Sequence, residues 1–251
     1  MTGLLNDKVA VIVGGSGGIG EACAHLFAEA GAQITLTHRP SADKAEKAQA
    51  IVQKLAGDGH LAAAVDVIDT ASIHALRDRV QTQYGRCDIL INTAGFTKPV
   101  PHDDLDALDD DLIDRMFAVN WRGQFATIRA FAPLLKASGQ GLIVSVSSIA
   151  GSTGQGSSIA YCATKAGIDV MTKSLGRALA PEIRVLGVAP GVVDTGFVPG
   201  RGAAFNEKTA ATTPLRRVAS AEDVAKAILA CATHLPFSTG TTLVVDGGRS
   251  L

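Results

Sequence analysis

The chain has 251 residues, of which 47% are hydrophobic and 19% charged, and its formal net charge is -1. That apolar fraction excludes a disordered chain, and the near-neutral balance excludes the basic stripe of a nucleic-acid binder. The length suffices for one self-supporting core, and no composition shift or linker divides it, so a single domain over 1–251 is expected.

The first apolar run, KVAVIV at 8–13, is a strand candidate, and GGSGGIGEACAHLFAEAG leads from it into a helix over 18–30. Gly14, Gly18 and Gly20 give G-x-x-x-G-x-G at that junction, with Ser16 and Ile19 among them. Glycine permits the tight turn and a close backbone approach, and the helix N-terminus aims unpaired N–H groups and its positive dipole end at the same spot. A pyrophosphate fits there, and a strand before and a helix after are the context a dinucleotide turn requires. QITLT at 33–37 is followed by His38 and Arg39, where an acid would bind the ribose of NAD and repel a 2′-phosphate. No carboxylate stands there and a guanidinium does, so NADP(H) is favoured while NAD(H) stays open.

Helices are then predicted over 42–56 and 70–84, with strands LAAAV at 61–65 and CDILIN at 87–92. An Asp-rich stretch at 103–114 opens one long helix over 108–137, its acids favouring the N-terminal dipole. GLIVSVS at 141–147 and IRVLGVA at 183–189 flank a helix over 158–180. A helix over 221–233 precedes the last strand, TTLVVD at 241–246. The segment 195–217, rich in Gly, Pro and Thr, reads as a substrate-binding loop. Most strands are too continuously apolar for a sheet with one wet face. Their alternation with helices gives an α/β fold with a parallel sheet covered on both faces.

Tyr161 and Lys165 are four residues apart on one helix face. A free phenol titrates near 10 and is a poor acid or base at neutral pH. An ammonium about 4 Å away contributes roughly 4 kcal/mol, enough to lower that value by up to about 3 units. Desolvation opposes the shift, so attraction is expected to win if the pair moves a proton near pH 7. Ser148, after the strand at 141–147, stands where carboxyl ends of parallel strands converge on a ligand crevice. Its hydroxyl can hold the oxygen whose proton Tyr161 handles.

Other chemistries find little support. The histidines at 25, 38, 60, 74, 102 and 234 read as surface or loop residues, and there is no G-x-S-x-G elbow or metal-binding cluster. Cys23, Cys87, Cys162 and Cys231 form no C-x-x-C pair and read as free thiols. Residues 1–15 lack a signal-peptide pattern, and no stretch approaches the roughly 18 apolar residues of a membrane helix. A cytoplasmic protein without membrane or nucleic-acid partners is the expectation.

With these motifs in place, the whole chain resembles the short-chain dehydrogenase/reductase family in its single-domain branch. The residues that carry the resemblance are Tyr161-x-x-x-Lys165, Ser148, Asn92-Thr93-Ala94-Gly95, Asn120, Asp66-Val67 and Pro190-Gly191. The resemblance implies a Rossmann-type, doubly wound parallel sheet of seven strands and a hydride-transfer enzyme acting on a small ketone or secondary alcohol. Tyr161 would be the general acid or base. Lys165 would lower the phenol's pKa and bind the nicotinamide ribose. Ser148 would orient the substrate oxygen, and Asn120 would hold a water in a proton relay. Asp66 and Val67 would contact the adenine, Asn92 would support the adenosine side, and Val193 and Thr195 would anchor the carboxamide and phosphate. Departures fall at Val13, at Thr93 and at Leu186-Gly187.

A non-catalytic NAD(P)-binding regulator on the same scaffold is the alternative, though it would be expected to lose Tyr161 or Lys165. Phe96, Phe197, Val198 and Phe205 are candidates for an apolar substrate wall. Members of the family pair their long helices, here near 108–137 and 158–180, so a homo-oligomer, dimer or tetramer, is implied.

Overall fold

The computed structural model describes residues 3–251. Seven strands, β1 (Val9–Val13), β2 (Gln33–His38), β3 (Leu61–Ala64), β4 (Ile89–Asn92), β5 (Gly141–Val146), β6 (Ile183–Pro190) and β7 (Thr241–Val245), form one sheet. Every pairing is parallel, and the spatial order is β3-β2-β1-β4-β5-β6-β7. The chain winds from β1 to one edge, crosses over to β4, and winds to the other. That reversal leaves a crevice beyond the carboxyl ends of β1 and β4, the ligand position of doubly wound sheets.

The sequence builds two cores by the period of two. Ala10, Ile12, Ile34, Leu36, Ile89, Ile91, Leu142 and Val144 face one side, where α1 (Gly18–Glu29) and α9 (Ala221–Thr233) pack on them. Val9, Val11, Val13, Leu90 and Ile143 face the other, against α3 (Thr70–Tyr84), α5 (Gly123–Ala137) and α7 (Ile159–Ala178). Each large apolar side chain so buried contributes about 1.5–3 kcal/mol. The edge strands depart from the expectation of burial on both faces. Ala64 in β3 and Val244 in β7 are exposed, because an edge strand lacks helical cover on its outer side.

Helix ends follow local chemistry. Asp69 accepts a hydrogen bond from Ala71 N at 2.9 Å to start α3, and Ser158 accepts from Tyr161 N at 3.2 Å to start α7. Ser220 and Asp223 form a capping box at the start of α9. The Asp-rich stretch behaves as expected, Asp109 capping α4 (Asp110–Phe117) through Leu112 N at 2.7 Å. In contrast, α1 begins at Gly17, which offers no side-chain cap.

Three elements differ from the sequence reading. The single helix expected over 108–137 is α4 and α5 joined by a π-helical turn, Ala118–Arg122. A four-residue helix, α6 (Ala150–Thr153), follows β5. The segment 195–217 is no plain loop, because Ala203–Thr212 form α8. Between α2 (Ala42–Val52) and β3, His60 is held in place as Nδ1 accepts from Ile34 N at 3.1 Å.

Candidate active site

The crevice begins where β1 ends. Gly14 takes φ +83°, and a Cβ there would lie 2.6 Å from Ala94 N, so only glycine lets the β1 and β4 ends approach. Its N–H donates to Thr37 Oγ1 at 3.0 Å, tying the turn to β2. A Cβ on Gly18 would lie 2.8 Å from Thr195 Cγ2, so this glycine lets Thr195 close on the start of α1. The first N–H groups of α1 have no carbonyl one turn earlier, and no cap covers them. They are free donors at the positive end of a helix dipole. This cradle of small residues, free N–H groups and a threonine fits a nucleotide pyrophosphate.

Across the crevice, α7 presents the proton-handling groups. Lys165 is 4% exposed, and its Nζ donates to Val146 O at 2.8 Å. That bond draws the ammonium back towards β5, and Nζ lies 5.6 Å from the Tyr161 ring centroid. Ser147 Oγ donates to Lys165 O at 3.1 Å, fastening the end of β5 to the helix. Ser148, also buried, accepts from Ala150 N at 3.2 Å. Phe197 packs on the other side of Tyr161, with ring centroids 6.1 Å apart.

Burial dominates the electrostatics. It pushes the Tyr161 phenol up to about 12, against the opposing pull of Ser148 and Arg201. It also pushes Lys165 down to about 8, partly offset by Asp169. The expected victory of attraction over desolvation therefore does not hold. Lys165 spends its contact on a backbone carbonyl instead of on the phenol.

The crevice encloses about 770 Å³ and gathers twelve of the sequence-identified residues: Gly14, Gly18, Ile19, Gly20, Gly95, Ser148, Tyr161, Lys165, Pro190, Gly191, Val193 and Thr195. Phe197, Val198 and Phe205 line it as expected, whereas Phe96 stacks under Arg115, 5.4 Å from its guanidinium carbon.

Other residues stand behind or beside the lining. Asn120 sits in the π turn, fully buried, with Oδ1 accepting from Phe96 N and Nδ2 donating to Phe96 O, each at 2.9 Å. Its side chain thus braces the segment after β4. Asn92 is buried, its Oδ1 accepting from Thr127 Oγ1 at 3.2 Å, and Ala94 packs under Gly14. Ser16 offers its carbonyl to Lys47 Nζ at 2.9 Å. Asp66 Oδ1 accepts from Ile68 N at 3.1 Å, and Val67 packs on Gly123. His38 is buried in the last position of β2 and lies 2.8 Å from Arg39 O through Nδ1, so it is neither the surface nor the loop residue expected, while Arg39 is exposed.

The departures at Val13 and Thr93 meet each other. Thr93 donates both its N–H and its hydroxyl to Val13 O, each at 2.9 Å. At Gly187, a Cβ would lie 2.5 Å from Thr242 Oγ1, so the glycine allows β6 and β7 to pair closely.

Arg201, Asn206, Thr212 and Arg249 also line the crevice and went unnoticed in the sequence, and His102, read there as a surface or loop residue, lines it too. Arg201 lies in VPGRG within the expected binding loop, a position that could have suggested it. Arg249 has no local pattern to mark it.

A family model described as Enoyl-(Acyl carrier protein) reductase matches residues 14–250. The chain is 38% identical over 246 residues to a cis-4-hydroxycyclohexanecarboxylate dehydrogenase of Sinomonas cyclohexanicum, covering 96% of each. This chain belongs to the short-chain dehydrogenase/reductase family. It is 32% identical over 261 residues to a 3-oxoacyl-(acyl-carrier-protein) reductase of Chlamydia muridarum, covering 100% of each. The solved structure of a 3-ketoacyl-(acyl-carrier-protein) reductase from Brucella melitensis, complexed with NADH, superposes with TM-score 0.89 at 31% identity. That superposition covers 98% of this chain and 100% of that one. As a family member the protein is a nicotinamide-dependent oxidoreductase acting on hydroxyl or keto groups. Among the described residues no helix is long and apolar enough to cross a membrane, and no acid, cysteine and histidine cluster could hold a metal.

Proposed function

We propose that Tyr161, Ser148 and Lys165 carry the carbonyl–alcohol interconversion, with Asn120 as a positioning residue behind them. The observation that supports this most is the meeting of Tyr161, Ser148 and Lys165 with the Gly14–Gly20 turn in one crevice. The nicotinamide, when bound, supplies or receives the hydride. Ser148 holds the substrate oxygen. Tyr161 gives that oxygen its proton in reduction and takes it in oxidation. A phenol raised to about 12 stays protonated at neutral pH and can give its proton to the substrate oxygen. Phe197 packs beside Tyr161 and gives the transfer path an apolar side.

Gly14, Gly18, Ile19, Gly20 and Thr195 hold the pyrophosphate, and Lys165 binds the nicotinamide ribose. NADP(H) is the preferred nucleotide, because the end of β2 carries no carboxylate and exposes Arg39 beside His38. Asp66, Val67 and Asn92 shape the adenosine side, and Pro190, Gly191 and Val193 the carboxamide side. The working unit is a cytoplasmic homo-oligomer formed by the outer faces of α4, α5 and α7. There Phe117 is 38% and Val170 61% exposed, apolar side chains that such an interface would cover.

The deciding experiment is a panel of ketones and secondary alcohols with NADPH and NADH, followed by nucleotide fluorescence. Turnover with NADPH is expected. Nucleotide binding without turnover of any compound would favour the regulatory alternative.

A further inference from the structure

The mouth of the crevice carries charge that neither the nucleotide nor the proton chemistry uses. Arg201 and Arg249 line it, beside the Lys165 of the proton chemistry, and among the described residues that line it there is no aspartate or glutamate. Glu207, the acid nearest to Arg201 in sequence, is exposed on α8, and Asp194 accepts from Asn206 Nδ2 at 2.8 Å. Lys165 is committed to Val146 O. Arg249 Nη1 donates to Thr212 Oγ1 at 3.1 Å and braces α8.

Arg201 alone is unspent. Its guanidinium carbon lies 4.4 Å from the Phe205 ring centroid, and among the described residues it makes no ion pair or side-chain hydrogen bond. Stacking fixes the plane of the guanidinium while leaving its N–H edges free. The charge also reaches Tyr161, whose ionised form it favours. Phe197, Val198 and Phe205 give the same end of the crevice an apolar wall. A planar donor fork beside an apolar wall, without a protein acid, matches a planar anion bound at two oxygens.

We infer that the substrate is a small keto or hydroxy acid, its carboxylate paired with Arg201 while its reacting oxygen lies at Ser148 and Tyr161. This rests on the oxidoreductase reading above and adds the substrate class. A phosphate carried by a thioester cofactor shares the anion chemistry, and the test separates the two.

Reduction of 3-oxobutanoate, 4-oxopentanoate and 5-oxohexanoate is compared with that of their methyl esters and of 3-oxobutanoyl-coenzyme A. At least one acid is expected to exceed its ester in kcat/KM by about tenfold or more. Arg201→Ala should remove that margin through KM, Arg201→Lys should restore part of it, and added salt should narrow it. An acid no better than its ester overturns the inference. So does an Arg201→Ala loss shared equally by acid and ester, or a preference for the thioester over every acid. Turnover of esters alone would refute the acid preference and leave the reductase reading standing. No turnover of any compound would count against both.

Discussion

Lys165 and Tyr161 face each other across 5.6 Å, ammonium to ring centroid, while the ammonium is hydrogen-bonded to Val146 O. The pair is therefore assembled but not engaged. An anionic nucleotide with its ribose in the crevice would lower the cost of the buried charge on Lys165 and shift its contact away from the carbonyl.

Tyr161→Phe keeps the ring, its packing on Phe197 and the helix, and removes only the hydroxyl. Turnover should fall at least about a hundredfold with nucleotide affinity within about twofold. Steady-state kinetics with parallel nucleotide titration decides it, and near-normal kcat would refute the assignment.

Lys165 gives a pH signature in stability. Its folded pKa, about 8, lies below its ordinary 10.5, so between those values the unfolded chain binds the extra proton and stability rises with pH. Lys165→Met lacks this gain. The Tm difference between wild type and Lys165→Met should move towards wild type from pH 8 to pH 10. A pH-independent difference would mean that Lys165 is not desolvated.

Two glycines should separate folding from binding. Gly14→Ala places a Cβ against the Ala94 backbone at φ +83°, so it should lower the Tm by several degrees or prevent soluble expression. Gly18→Ala meets side chains alone, Thr195 closely and Ala221 at ordinary contact distance, and carries no φ strain. It should melt near wild type yet bind nucleotide about tenfold more weakly, as thermal melts with fluorescence titration would show. Equal melting temperatures for the two variants would contradict this division.

Arg39→Ala should weaken NADPH about tenfold while leaving NADH nearly unchanged, because a 2′-phosphate is the only group the guanidinium would serve. Equal losses on both nucleotides would remove that role.

Strands, winding and most of the crevice were legible because they rest on periodicity and on short motifs at strand ends. The helices over 70–84 and 221–233 match the structure residue for residue. What escaped was non-local or faint. In α8 the single buried residue, Thr209, leaves no apolar stripe, and Gly202 precedes the helix. Arg249 reaches the crevice only because the chain returns past β7. Desolvation of Tyr161 and Lys165 depends on what covers them, which spacing on a helix does not record.

The π turn at Ala118–Arg122 works as a counting device. A regular helix rotates about 100° per residue, and the wide turn absorbs one residue more than a regular one. Losing one residue from it would leave a regular turn that keeps α4 and α5 in phase but carries Asn120 off the Phe96 backbone. The exact number of residues between the acidic start of α4 and Asn120 is thus as much under constraint as their identity.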